Sequence, residues 1–119
     1  MQGSGNDGRG YVIENRELIA ESAGLRVQTL TIGPGQCVPW HHHTRITDTF
    51  FCLEGAMIVH TRSGDHALTP GGQCAVAPGE AHMVEGKDGG PCRFAIVQGV
   101  GEYDFIPGNR DATTDGERR

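Results

Sequence analysis

Turn-forming residues punctuate this chain from end to end. Its 119 residues include 19 glycines and 6 prolines, and the apolar residues between them alternate in short runs. Alternation of that kind marks strands with one buried face. Such runs cover residues 11–14, 25–32, 38–43, 47–53, 56–61, 65–68, 73–77, 81–85 and 92–97. Gly33-Pro34-Gly35, Glu54-Gly55, Pro70-Gly71-Gly72 and Pro78-Gly79 stop or turn them, and Ser63-Gly64 closes a hairpin. Residues 17–23 fit either one helical turn or a strand, and residues 99–105 can add an edge segment. Eight to ten short strands without a long helix predict an all-β sandwich or barrel.

The length suits one domain. We expect a flexible arm over residues 1–10, a barrel over 11–106 and a polar, disordered tail over 107–119. A domain of this size buries roughly two-thirds of its unfolded surface and needs no disulfide. The four cysteines, at 37, 52, 74 and 92, are widely spaced, with no C-x-x-C pair, and read as reduced core thiols. The net charge of −5 and the scattered basic residues argue against a nucleic-acid partner. No apolar run approaches the ~18 residues of a membrane span. The first ten residues lack the apolar stretch of a secretion signal, so the expected address is cytoplasmic.

Histidines carry the chemistry. His41 and His43 are two apart, so a strand directs both to one face. Asp48 follows five residues after His43, across a turn, and His82 follows Pro78-Gly79, where a turn hands over to another strand. Three imidazoles and a carboxylate converging inside one barrel make a mononuclear site for a divalent transition metal. Fe, Mn, Zn and Ni all suit that donor set. Asp48 has three open roles: direct ligand, a group orienting an imidazole or a bound water, and general base. His42 points to the opposite face by the same alternation. His60 and His66 flank the Ser63-Gly64 turn and read as solvated.

The spacing of these residues resembles the cupin superfamily. Gly35, five residues, His41-x-His43, four residues, Asp48, six residues and Gly55 match its first motif. Gly72, five residues and then Pro78-Gly79-x-x-His82 resemble its second. The resemblance spans about residues 25–98. It implies a double-stranded β-helix, a jelly-roll barrel, with a metal inside its mouth, and a homodimer. Two positions depart from the family pattern. Asp48 stands where glutamate is usual, and Gly86 stands where the second motif carries asparagine.

By analogy with small cupins, the reading this supports is a metal-dependent enzyme on a small-molecule substrate, foremost a mononuclear non-haem oxygenase. Non-redox isomerase, cyclase, lyase or decarboxylase chemistry is the alternative. A non-catalytic metal or small-molecule binding cupin is a third reading. Cys37 shares strand parity with His41, and Cys52 and Phe50 share it with Asp48, so each is a candidate for the cavity wall. Core packing is the competing reading for the two thiols. Glu54 and Arg62 are weaker polar candidates, and Trp40, Phe51, Phe94 and Phe105 read as core or dimer surface.

Overall fold

Two antiparallel sheets face each other across an apolar layer, and along several of their strands burial alternates residue by residue. The computed structural model describes residues 2–6 and 11–111. Its strands are β1 (Gln2–Asn6), β2 (Val12–Ser22), β3 (Leu25–Ile32), β4 (Cys37–His42), β5 (Thr47–Glu54) and β6 (Met57–Thr61). They continue as β7 (Gly64–Leu68), β8 (Gln73–Val76), β9 (His82–Gly86), β10 (Cys92–Gly99) and β11 (Ile106–Pro107). One sheet runs β1-β2-β3-β10-β5-β8 and the other β11-β4-β9-β6-β7. This is the double-stranded β-helix, and no α-helix occurs among the described residues. Among those residues no helix is long and apolar enough to cross a membrane.

The strict period of two does the sorting. Along β10, Cys92, Phe94, Ile96 and Gln98 face inward while their neighbours are half-buried. In β6, Met57, Val59 and Thr61 turn inward, and in β9 His82, Val84 and Gly86 do. Phe50, Phe94, Ile32, Met57, Val59 and Val84 meet in the core, all nearly inaccessible. Burying each such side chain stabilises the fold by about 1.5–3 kcal/mol. The ambiguous stretch at residues 17–23 is extended and belongs largely to β2, because pairing with β3 from Asn15 to Ser22 satisfies its backbone. Within the stretch expected to be a flexible arm, Gln2–Asn6 pair with β2 as β1. Residues 1 and 7–10 lie outside the described residues, as do 112–119 of the expected tail.

Two local features set the geometry around the histidines. Between Val38, opposite Val84, and His41, opposite His82, β4 carries two residues where β9 carries one. This bulge falls at Pro39-Trp40, where proline has no N–H to give to the ladder. It shifts the parity of β4, so Val38 and His41 both line the interior although they are three apart. The second feature is Gly86. A side-chain carbon there would lie 1.7 Å from the Gly90 carbonyl oxygen, because the 3-10 turn Lys87–Gly89 folds directly over it. Only glycine fits, which accounts for the absence of an asparagine at this position.

Candidate metal centre

His41, at the end of β4, His43 just beyond it, and His82, opening β9, enter from one sheet. Asp48, in β5, enters from the other. The short turn between β4 and β5 brings Asp48 round to the histidines, and the Gly79 N–H, donating to the His43 carbonyl at 2.7 Å, fixes the loop before His82. One ligand atom from each of the four lies within 4.8 Å of all the others. The His82 ring sits 4.3 Å from that of His41 and 5.4 Å from that of His43. All four side chains are buried, none more than 4% exposed.

Hydrogen bonds decide which ring nitrogen faces the centre. His41 Nδ1 donates to the Pro39 carbonyl at 2.7 Å and His82 Nδ1 to the Glu80 carbonyl at 3.0 Å. His43 Nδ1 donates to the Asp104 carbonyl. A carbonyl only accepts, so each Nδ1 carries the proton, and in the neutral ring each Nε2 presents a lone pair. Asp48 Oδ2 lies 3.0 Å from His82 Nε2 and 2.9 Å from His43 Nε2. The His43 nitrogen is buried and outside hydrogen-bond geometry despite that short distance. Lone pairs and a carboxylate gathered this closely repel one another unless a proton or a cation lies between them. The donor set fits a divalent transition metal, which His41 Nε2, His43 Nε2, His82 Nε2 and Asp48 would hold.

Electrostatics agrees. Burial pushes the His41 pKa down to about 3, helped by the neighbouring His82 and His43, so this ring is neutral under physiological conditions. Burial alone opposes charge on His43, but the adjacent Asp48 outweighs it and raises the pKa. Burial likewise opposes ionisation of Asp48, and contacts with His43 and His82 overcome it, holding the carboxyl well below its usual range.

The surroundings contain groups that no motif announces. Gln98, from β10, donates Nε2 to Asp48 Oδ1 at 3.2 Å. Gln28, from β3, donates Nε2 to Gln98 Oε1 at 2.8 Å, and Arg16 donates to Gln28 Oε1 at 3.2 Å. The segment between β10 and β11 forms a strap over the site. Phe105 stacks on His41, with ring centres 4.5 Å apart, and Tyr103 packs against His43 at 5.2 Å. The Asp104 carboxylate anchors the strap by accepting from Thr44 N at 2.8 Å and from Thr44 Oγ1. Beneath it, the space beside the ligands has room for about one water molecule.

Other candidates fall elsewhere. Cys37 pairs with Glu85 on the outer side of β4, because the bulge breaks the parity it was expected to share with His41. Cys52 is buried in the core and donates Sγ–H to the Gly55 carbonyl. Neither belongs to the cluster of four. Phe50 lines the cavity as expected from its parity with Asp48. His42 is outside the cluster but buried, in register with Ile106 of β11. His60 is not simply solvated: its two ring nitrogens contact Asp65 at 2.9 Å and Glu85 at 2.7 Å. Glu54 and Arg62 are exposed, and Glu54 lies 3.7 Å from Arg93 in a surface ion pair.

Comparison with known proteins agrees with this architecture. A family model described as the cupin domain matches residues 28–106. A conserved protein with a double-stranded β-helix domain from Klebsiella pneumoniae superposes with a TM-score of 0.71 at 21% identity, covering 89% of this chain and 84% of its own. KdgF from Halomonas superposes with a TM-score of 0.66 at 16% identity, covering 74% of this chain and 79% of its own. A cupin superfamily protein from Desulfitobacterium hafniense gives 0.65 at 16% identity, covering 72% and 76%. No curated protein matches.

Proposed function

The chain belongs to the cupin domain family, and we propose that it is a metal-dependent enzyme of that family acting on a small molecule, with mononuclear non-haem oxygenation as the leading reaction class. One observation supports this above all: three histidines whose Nδ1 protons are committed to backbone carbonyls turn their Nε2 atoms toward a single buried carboxylate. An apolar core gains nothing from such a gathering, since polar groups without good partners cost free energy when buried.

A bound redox-active ion supplies one-electron and oxygen chemistry at such a centre, whereas a redox-inert ion polarises a carbonyl. The chain's own contribution is orientation and dryness. Pro39, Glu80 and Asp104 carbonyls fix the three tautomers. Gln98 fixes Asp48 from behind. Phe50, Phe94 and Phe105 line the cavity and limit it to room for about one water molecule. Asp48, kept ionised, offsets the positive charge of the centre. A redox-inert ion in the same donor set makes isomerase, cyclase, lyase or decarboxylase chemistry the second reading.

Elemental analysis of protein purified without chelator tests the proposal, followed by oxygen uptake across catechols, β-diketones and thiols. We expect about one equivalent of iron, manganese, zinc or nickel, and oxygen uptake with at least one compound. Absence of metal, with no binding on titration, overturns the proposal. Stoichiometric iron without oxygen uptake moves the reaction to proton transfer.

A further inference from the structure

Arg26, on β3, occupies the wall between the metal centre and an outer pocket. Its Nε donates to Gln98 Oε1 at 3.3 Å, and Gln98 in turn donates to Asp48. One side-chain amide therefore spans the gap between this guanidinium and the centre. The guanidinium lies over the Tyr103 ring, 3.9 Å from its centroid. Arg26 itself lines a broad pocket open to solvent, along with Gly24, Gln98, Gly101, Glu102 and Tyr103. Gln98 and Tyr103 also line the inner cavity with His41, His43 and Asp48, so the two spaces share Gln98 and Tyr103 as a wall, and Arg26 touches both of these residues from the outer side.

The charge on Arg26 is left unanswered. Its Nη2 is buried without a hydrogen-bond partner. Glu21 is its cross-strand neighbour in register, and Glu102 lines the same pocket. Glu102 is in an ion pair with Arg45, and among the described residues no carboxylate lies within ion-pair distance of Arg26. A buried, unpaired guanidinium nitrogen is costly. Its plane is nevertheless held from two sides, by Gln98 and Tyr103, in the fork geometry that suits a carboxylate.

We propose that Arg26 anchors an anionic substrate, a small organic acid whose carboxylate meets Nη2 while its other end reaches the metal centre. This rests on the metal-dependent reading above and supplies its substrate class. The inner cavity has room for only about one water molecule, so the bulk of such a molecule enters from the outer pocket as Tyr103 yields its place on the guanidinium. The glycines at 99 and 101 flank the start of that segment.

Calorimetric titration of malonate, succinate and the uncharged succinamide into the full chain, zinc-loaded and metal-free, tests the proposal. The acids are expected to bind and the diamide not to. Arg26→Gln should weaken acid binding about 10- to 100-fold, the range for losing a charged hydrogen bond, while leaving zinc affinity unchanged. Arg26→Lys should fall between the two. Equal binding of succinate and succinamide overturns the proposal, as does an unchanged Arg26→Gln variant. So does a wild-type protein that takes up zinc but neither acid. If zinc does not bind, the metal reading fails separately, and dependence on Arg26 in the metal-free titration still decides the anchor. If Arg26→Gln does not fold, the comparison of acid with amide on the wild type decides it.

Discussion

Gln98 Nε2 donates to Asp48 Oδ1 at 3.2 Å, on the carboxylate oxygen that faces away from the histidines. The amide therefore holds the carboxylate in the rotamer that presents Oδ2 to His43 and His82. Removing it frees the carboxylate to swing. Gln98→Ala should lower metal affinity about 10- to 100-fold, the usual effect of losing a group that orients a ligand, as read by competition with a chromogenic chelator. Unchanged affinity would show that packing alone fixes Asp48.

Asp48→Asn keeps the volume and removes the charge. Metal affinity should fall at least as far as in Gln98→Ala, and the double variant should lose less than the sum, because both act through one group. Full additivity would separate the two residues.

Proton and metal compete at His43. Its pKa is raised in the metal-free protein, and a ligand must be deprotonated. Affinity should therefore climb with pH up to that raised value and level off above it. The metal-free protein should behave oppositely. A raised folded pKa stabilises fully below the unfolded value of about 6.5 and loses that contribution as pH rises through the folded one. Asp48, with its lowered pKa, contributes stability above the unfolded carboxylate value of about 3.9 and loses it as acid reaches the folded one. Melting curves against pH, with and without zinc, check both signs. A metal-free melting temperature that rises from pH 6.5 to 8.5 would contradict the account of His43.

Gly86→Asn restores the family's usual residue yet places a carbon 1.7 Å from the Gly90 carbonyl oxygen. The backbone has to move, at a cost of about 3 kcal/mol or more, the upper range for overpacking. Urea denaturation measures this. A loss under 1 kcal/mol would mean that the 87–90 turn yields easily.

Phe105→Ala removes the ring stacked on His41 and opens the cavity. Extraction of bound metal by chelator should speed up, while Phe94→Ala, deep in the core, should cost about 3–5 kcal/mol of stability instead. Equal extraction rates in wild type and Phe105→Ala would remove the strap as a barrier.

The gathering of His41, His43, Asp48 and His82 was legible because alternation and turn residues place them without reference to the rest of the chain. His41 and His43 share a face, and Gly79 sets up His82. Parity failed at Cys37, where the Pro39-Trp40 bulge inserts one residue and turns the thiol outward. No local pattern distinguishes Gln98 from any other inward strand residue; only the pairing of β10 with β5, which sets Gln98 opposite Asp48, gives it a role. Tyr103 and Phe105 lie in a segment without regular structure, so their position over the histidines follows from tertiary packing alone. The acidic partners of His60 likewise come from β7 and from β9, the latter 25 residues away along the chain.

Three donors belong to one layer of the sandwich and the fourth to the other. An ion gripped by all of them rivets the layers together, so prising them apart and letting the ion go become a single event. Tolerance to heat should then track the concentration of free metal, through the mass-action gain of any ligand that binds only the folded form.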